Sequence, residues 1–412
     1  VLEEVHRAEW ARLVAALARR FGDLDLAEEA AADAFVAALE HWGDGPPPNP
    51  GGWLMTTATR KALDRIRREQ RRREKYERLA REAVAGDVGP GHDITGADAL
   101  SDASAAPIDD DRLALIFTCC HPALSREARL ALTLRLVGGL TVGQIARGLL
   151  ISETSVGQRI TRAKAKIAAA AIPYRVPSAE ELPERVDTVL AVLYLIYNEG
   201  YLPGGDTPPG PDLAAEALRL ARLVDGLLPA DGEVTGLLAL MLMTEARRGA
   251  RFSDTGELVT LGEQDRARWD GELIAEGHAL VLARIATGEP PGRYQLQAAI
   301  NAVHTHARDI AATDWPQLGI LYEQLCAIDP SPVVALNRAV VIAELDGAAV
   351  ALAQVDRLAL VDYHAWHATR AELLVRSGRP AEARVAFDAA IALAANPPEQ
   401  RHLARRRDSL AA

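Results

Sequence analysis

The stretch Leu140–Ile167, LTVGQIARGLLISETSVGQRITRAKAKI, decides how this part of the chain folds. Thr141 and Gln144 have the spacing of a capping box and open a short helix. Val142, Ile145, Ala146 and Leu149 form its inner face. After a short turn, Ser152 supplies a second N-cap. In the helix that follows, Val156, Ile160, Ala163 and Ile167 share one face at 3.6-residue spacing. The opposite face presents Thr154, Ser155, Gln158, Arg159 and Arg162, with Lys166 one turn further on. These side chains hydrogen-bond to base edges and phosphates. Two short capped helices, the second with a polar face, predict a helix-turn-helix that lays its second helix in a DNA major groove. The plainer alternative is a solvated face on a structural helix. The coincidence of two caps, a short turn and a polar face weighs against it.

Upstream, Leu130, Leu132, Leu134 and Leu136 alternate like a strand but read as helix. Ser125 is a good N-cap, and Gly138-Gly139 is a stop. Before them stands TCCHP, Thr118–Pro122. Leu113, Ile116, Phe117 and Cys120 fall at i, i+3, i+4 and i+7, which puts Cys120 on an apolar face, and Cys119 continues the Leu115 position. Adjacent cysteines on a helix point about 100° apart, a poor chelate, and no second Cys/His pair lies at metal spacing. Buried, inert cysteines are expected, and a redox or metal role is the alternative.

The chain has 412 residues, of which 49% are apolar and only 5% aromatic, so its cores must be Ala, Leu, Val and Ile, a composition that favours helix. No segment reads as a membrane span or a signal peptide, and three cysteines suggest a reducing cytoplasm. The net charge of -11 argues against nucleic-acid binding until its distribution is considered. Asp23–Asp44 carries seven acidic residues and no Lys or Arg, whereas Arg60–Lys75 carries nine basic against three acidic. Ala83–Asp111 has seven Asp and no Lys or Arg, whereas Arg147–Lys166 has five basic and one acidic.

Val1–Tyr76 reads as helical around a Pro/Gly interruption, GDGPPPNPGG. An acidic amphipathic helix containing Glu28, Glu29 and Asp33 precedes that loop. After it, Trp53-Leu54, Leu63 and Ile66 are expected to point inward, with Arg60, Lys61, Arg65, Arg68 and Arg72 as a basic outer stripe. A basic stripe beside aromatic residues suits single-stranded or opening DNA, although a solvated basic helix has the same pattern. Glu77–Asp111 has the composition of a flexible linker.

Taken in order, AEEAAADAF, WLMTTATRKALDRIRR and SETSVGQRITRAKAKI resemble the extracytoplasmic-function (ECF) group of bacterial sigma factors. The resemblance implies an all-α chain with sigma region 2 at 1–76, the linker at 77–111 and the helix-turn-helix of region 4 at 112–172. It implies core RNA polymerase and promoter DNA as partners. Glu28, Glu29 and Asp33 would meet the polymerase. Trp53, Arg60, Lys61, Arg65, Arg68 and Arg72 would engage the −10 element. Thr154, Ser155, Gln158, Arg159, Arg162 and Lys166 would read the −35 element. The chain departs from the family's pattern at Ala32 (usually Gln), Arg60 (usually Asn) and Leu150 (usually Gly). No catalytic residue, metal or cofactor is implied. A helix-turn-helix regulator acting without polymerase is the rival reading, and it leaves the acidic helix unexplained.

Residues 173–412 add Ala/Leu-rich helices with a weak repeat. Ala351, Val355 and Leu358 recur as Ala383, Phe387 and Ala390, and Leu318, Tyr322 and Leu325 occupy the preceding repeat. Ala339 and Ala371 match in the same way. This resembles tetratricopeptide (TPR) repeats, and an ECF subgroup carries such an extension, which implies a regulatory role through an intramolecular or protein partner. Asn337 and Arg338 are candidate groove contacts, or else hydrogen-bond between repeats. His304, His306, His364 and His367 are expected as core or surface histidines. YNEGY (197–201) and Arg251–Asp270 are unusual in composition and have no chemical account from sequence.

Overall fold

The computed structural model describes residues 2–43, 45–84, 108–149, 151–201, 212–253, 255–394 and 397–411. Among the described residues there are eighteen α-helices and no strand, only an isolated bridge between Phe252 and Leu258. The central part of the acidic linker and Leu150 lie outside them. The chain divides into two compact units, Val1–Val192 and Leu193–Ala412.

The first unit begins with α1 (Leu2–Phe21), α2 (Leu24–His41) and α3 (Pro50–Val84). Asp23 caps α2 by accepting from the amides of Asp25 and Leu26. The buried face of α2 is mostly alanine: Ala27, Ala30, Ala31, Ala34, Ala37 and Ala38. On α3 the buried residues are Leu54, Ala58 and Ala62. Small residues on both partners let the two backbones approach closely. Leu63 and Ile66, expected inside, are only half-buried, because the alanine ridge sets the packing line. The helix continues past Tyr76 to Val84, and residues 67–78 are exposed on every side.

The helices α4 (Ile108–Cys119), α5 (Arg126–Leu136), α6 (Val142–Gly148) and α7 (Glu153–Ala169) follow. Ser125 accepts from the Ala128 amide, and the Thr141–Gln144 box is reciprocal. Ser152 accepts from the Ser155 amide. Gly139, at φ +74, turns the chain tightly against His6 and Trp10, where an added Cβ would lie 2.9 Å from the His6 ring. Cys119 and Cys120 are both buried, and Cys120 Sγ lies 3.4 Å from the Thr133 hydroxyl. Burial pushes the Cys120 thiol up to about 11 and Cys119 well above its usual value, so neither offers a thiolate at neutral pH. The unit runs on beyond Pro173. The Tyr174 hydroxyl lies 3.0 Å from the carbonyl oxygens of Ala15 and Asp111. Arg185, at the start of α8 (Leu182–Tyr201), donates to the Phe117 carbonyl at 2.5 Å.

The second unit contains the end of α8 and α9 (Leu213–Leu227), α10 (Gly232–Glu245), α11 (Gly271–Ala286), α12 (Arg293–His306) and α13 (Trp315–Ile328). It continues through α14 (Pro332–Leu345), α15 (Ala348–Val355), α16 (His364–Arg376), α17 (Pro380–Leu393) and α18 (Pro397–Asp408). From α12 onward the helices run as pairs. The repeat residues Leu318 and Leu325, Ala351 and Val355, and Ala383, Phe387 and Ala390 are buried on the second helix of successive pairs. Ala339 and Ala371 are buried on the first. Within YNEGY, Tyr197 and Gly200 pack: Tyr197 is 1% exposed and donates to Glu245 at 3.2 Å, and a Cβ on Gly200 would collide with the backbone of α9, whereas Asn198 and Glu199 are exposed. The described residues of Arg251–Asp270 hold the Phe252–Leu258 bridge and a 3-10 turn at Arg266–Arg268. The stretch ends with Asp270 capping α11, and its Glu257 pairs with Arg405 of α18.

Candidate nucleic-acid interface

On α7 the buried face is Val156, Ile160, Ala163 and Ile167, with Lys164 beside them. Thr154, Gln158 and Arg162 stand one turn apart and are exposed. Arg159 is half-buried. Ser155 is partly spent on the cap, its hydroxyl 2.8 Å from that of Ser152. The Lys166 ammonium donates to the Ala123 carbonyl, which ties it to the turn after α4. Of the residues expected to read DNA, three therefore form an open ridge, flanked by the half-buried Arg159 and by Ser155 and Lys166 with partial internal engagement. Thr161, not singled out from sequence, is exposed as well.

On α3, Arg60, Lys61, Arg68 and Arg72 are exposed, and Arg72 lies 5.7 Å over the exposed Tyr76 ring. Because residues 67–78 are solvated all round, Arg67, Arg71, Arg73 and Lys75 join them. The basic feature is thus a rod in its outer half, wider than the expected stripe. Helical periodicity missed these four, and the charge count of the segment contained them. Trp53 is half-buried and meets Trp42 edge-on with centroids 5.3 Å apart, with His41 at 6.2 Å. This aromatic cluster sits at the base of the Pro/Gly loop, beside the basic helix.

The three acidic residues of α2 divide. Glu29 and Asp33 are exposed, and Val36 and Leu39 are exposed close by on the same helix at 55% and 68%. Glu29 pairs with Arg65, so Arg65 serves the α2–α3 contact as well as the basic surface. Glu28 is only 12% exposed. It accepts from Lys164 of α7 at 2.5 Å and from Arg135 of α5 at 2.5 Å. Lys164 also reaches Asp25 at 2.6 Å. Burial opposes the Lys164 charge, but Glu28 and Asp25 outweigh it and raise its pKa. Around this cluster the Trp10 indole donates to the Arg135 carbonyl at 3.2 Å, and the Arg135 guanidinium lies 5.8 Å over the Trp10 ring. The helices α1–α2 are therefore held against α5–α7 by a partly buried charge cluster. Sequence gave no sign of it, since its members lie more than a hundred residues apart.

Three stretches of the chain match known families. Residues 8–72 match sigma-70 region 2, and residues 114–167 match sigma-70 region 4. Residues 185–285 match a family of unknown function, DUF6596. An uncharacterized protein of Rhizobium meliloti (strain 1021) is 42% identical over 401 residues, spanning 96% of this chain and 93% of the relative. No solved structure matches. Among the described residues no helix is long and apolar enough to cross a membrane. The chain shares its near full length with this rhizobial protein, and with sigma-70 regions 2 and 4 in order at its start it belongs to the sigma-70 family.

Proposed function

We propose that the protein is a cytoplasmic ECF-type sigma factor that docks on core RNA polymerase and directs initiation at its own promoters. It performs no covalent chemistry of its own. The carrying observation is that one compact unit presents the open polar ridge of α7, the basic α3 with its tryptophan pair, and the acidic-apolar outer face of α2. In this reading α7 reads the −35 element, and α3 with Trp53 engages the −10 element as it opens. Glu29 and Asp33 meet the polymerase, whereas Glu28 serves the internal cluster. The helix pairs of the second unit form a TPR-like extension that regulates the sigma half.

In this reading α3 and α7 engage two separate elements along one duplex, while the Lys164–Glu28 contact holds regions 2 and 4 together. The charge cluster then acts as a latch on the free protein that opens when the holoenzyme forms.

Arg159→Ala is the sequence-reading test. It should cost about 1–3 kcal/mol of promoter binding and relax preference within the −35 box alone. A competition assay with box variants measures this, and selectivity unchanged in a folded variant removes Arg159 from the reading face.

A further inference from the structure

A cavity of about 250 Å³ lies between α10, α11, α12 and α13 of the second unit, and the sigma reading does not use it. It arises where α11 is thinly packed. That helix, GELIAEGHALVLARIA, is mostly apolar, yet of its 16 residues Gly277 alone is buried. At Gly277 the helix touches α10, since an added Cβ would lie 2.6 Å from the Met243 side chain. One turn further on, Leu280 and Val281 are half-buried and line the cavity, as do Leu296 of α12 and Leu321 of α13. On another side α10 and α12 meet closely, because a Cβ on Gly236 would lie 2.6 Å from the Gln295 backbone nitrogen. An enclosed apolar cavity of about 150 Å³ already takes up benzene. Left empty, a space of this size forfeits the dispersion contacts of its lining.

Polar groups around the cavity are few, as in small-molecule sites generally. Among the described residues Arg284 and Glu289 are the charged members of its lining. Arg284 is 14% exposed and pairs with Glu289 at 2.5 Å, so its charge is already answered. Gln295 stands beside it: a Cβ on Gly232 would lie 2.6 Å from Arg284 Nη2 and 2.7 Å from Gln295 Nε2. The Gln295 backbone N–H donates to Glu233, whereas its side-chain amide has no hydrogen-bond partner among the described residues. Such an amide can both donate and accept. A charged ligand would meet no free counter-charge here, and burying an unpaired charge is costly. We propose that this cavity binds a small, uncharged, mainly apolar molecule with one hydrogen-bonding head. Its apolar body lies against Leu280, Val281, Leu296 and Leu321, and its head on the Gln295 amide. The inference stands on the cavity alone and does not depend on the sigma reading.

Calorimetry on the full-length protein tests it with probes that share a phenyl ring and a two-carbon arm: 2-phenylethanol, ethylbenzene, phenylacetate and 2-phenylethylamine. The alcohol should bind saturably, at least tenfold more tightly than the anion or the cation and severalfold more tightly than ethylbenzene. Gln295→Leu should erase the advantage of the alcohol over ethylbenzene. Ala299→Phe, at a half-buried position in the lining, should abolish binding of every probe, with circular dichroism and a cooperative thermal transition to establish that the variant folds. Independently of any variant, the bound ring of 2-phenylethanol should show nuclear Overhauser contacts to the methyl groups of Leu280, Val281, Leu296 and Leu321. Phenylacetate or 2-phenylethylamine binding as tightly as the alcohol, or equal binding of ethylbenzene, would overturn the proposal. So would undiminished binding to a folded Ala299→Phe variant, contacts confined to other methyl groups, or no saturable binding of any probe at millimolar concentration.

Discussion

Reversing Glu29 and Asp33 to lysine should lower association with core RNA polymerase by at least about a hundredfold while leaving the fold intact. Both side chains are exposed, so no buried group loses a partner. Among the described residues the internal interaction sacrificed is the surface pair of Glu29 with Arg65, and such pairs contribute under about 1 kcal/mol. The two substitutions convert the centre of the outer face of α2 from acidic to basic. Like charges facing one another across an interface cost several kcal/mol. Val36 and Leu39 remain exposed in the variant, so the experiment isolates the charge. Co-purification with core enzyme, alongside circular dichroism of the free variant, is the measurement. Association at the wild-type level would show that this face does not dock.

Glu28→Ala should open the first unit. It removes the carboxylate between Lys164 and Arg135, whose side chains are 9% and 18% exposed, and leaves two largely buried cations side by side. Removing one partner of such a cluster costs about 3–5 kcal/mol. Hydrogen exchange should rise in α1, α2, α5 and α7 together, because these helices carry the contact. Asp25 offers Lys164 only weak compensation, being 70% exposed itself. The triple change of Glu28, Lys164 and Arg135 to methionine should restore much of the protection, since apolar replacement of a buried charge cluster is often neutral or stabilising. If Glu28→Ala leaves exchange in all four helices unchanged, the cluster does not hold the two regions together.

The helix-turn-helix was legible because its determinants are local. Ser125, Thr141 with Gln144, and Ser152 mark helix starts within three residues of the amides they cap, and the apolar spacing of α7 needs no distant partner. The order of the two sigma regions was legible for the same reason. The inner line of α3 was less so. Leu63 and Ile66 are larger than Ala58 and Ala62, yet the alanines are buried, because the alanine-rich face of α2 selects small partners. The roles of Glu28 and Lys164 were not legible at all. Each looks like an ordinary surface charge in its own helix, and only the long-range packing of α2 on α7 buries them. Tyr197 and Gly200 show the same limit, since their partners Glu245 and α9 come from elsewhere in the second unit.

The sigma-factor reading is tested most directly by run-off transcription from fragmented genomic DNA with purified core RNA polymerase, with and without this protein. The account predicts discrete transcripts with defined start sites that require both components. They should share −35 and −10 elements, and the Glu29→Lys, Asp33→Lys variant should fail to produce them. Transcripts identical to those of core enzyme alone, together with sequence-specific DNA binding by the free protein, would contradict it and leave a regulator that acts without polymerase.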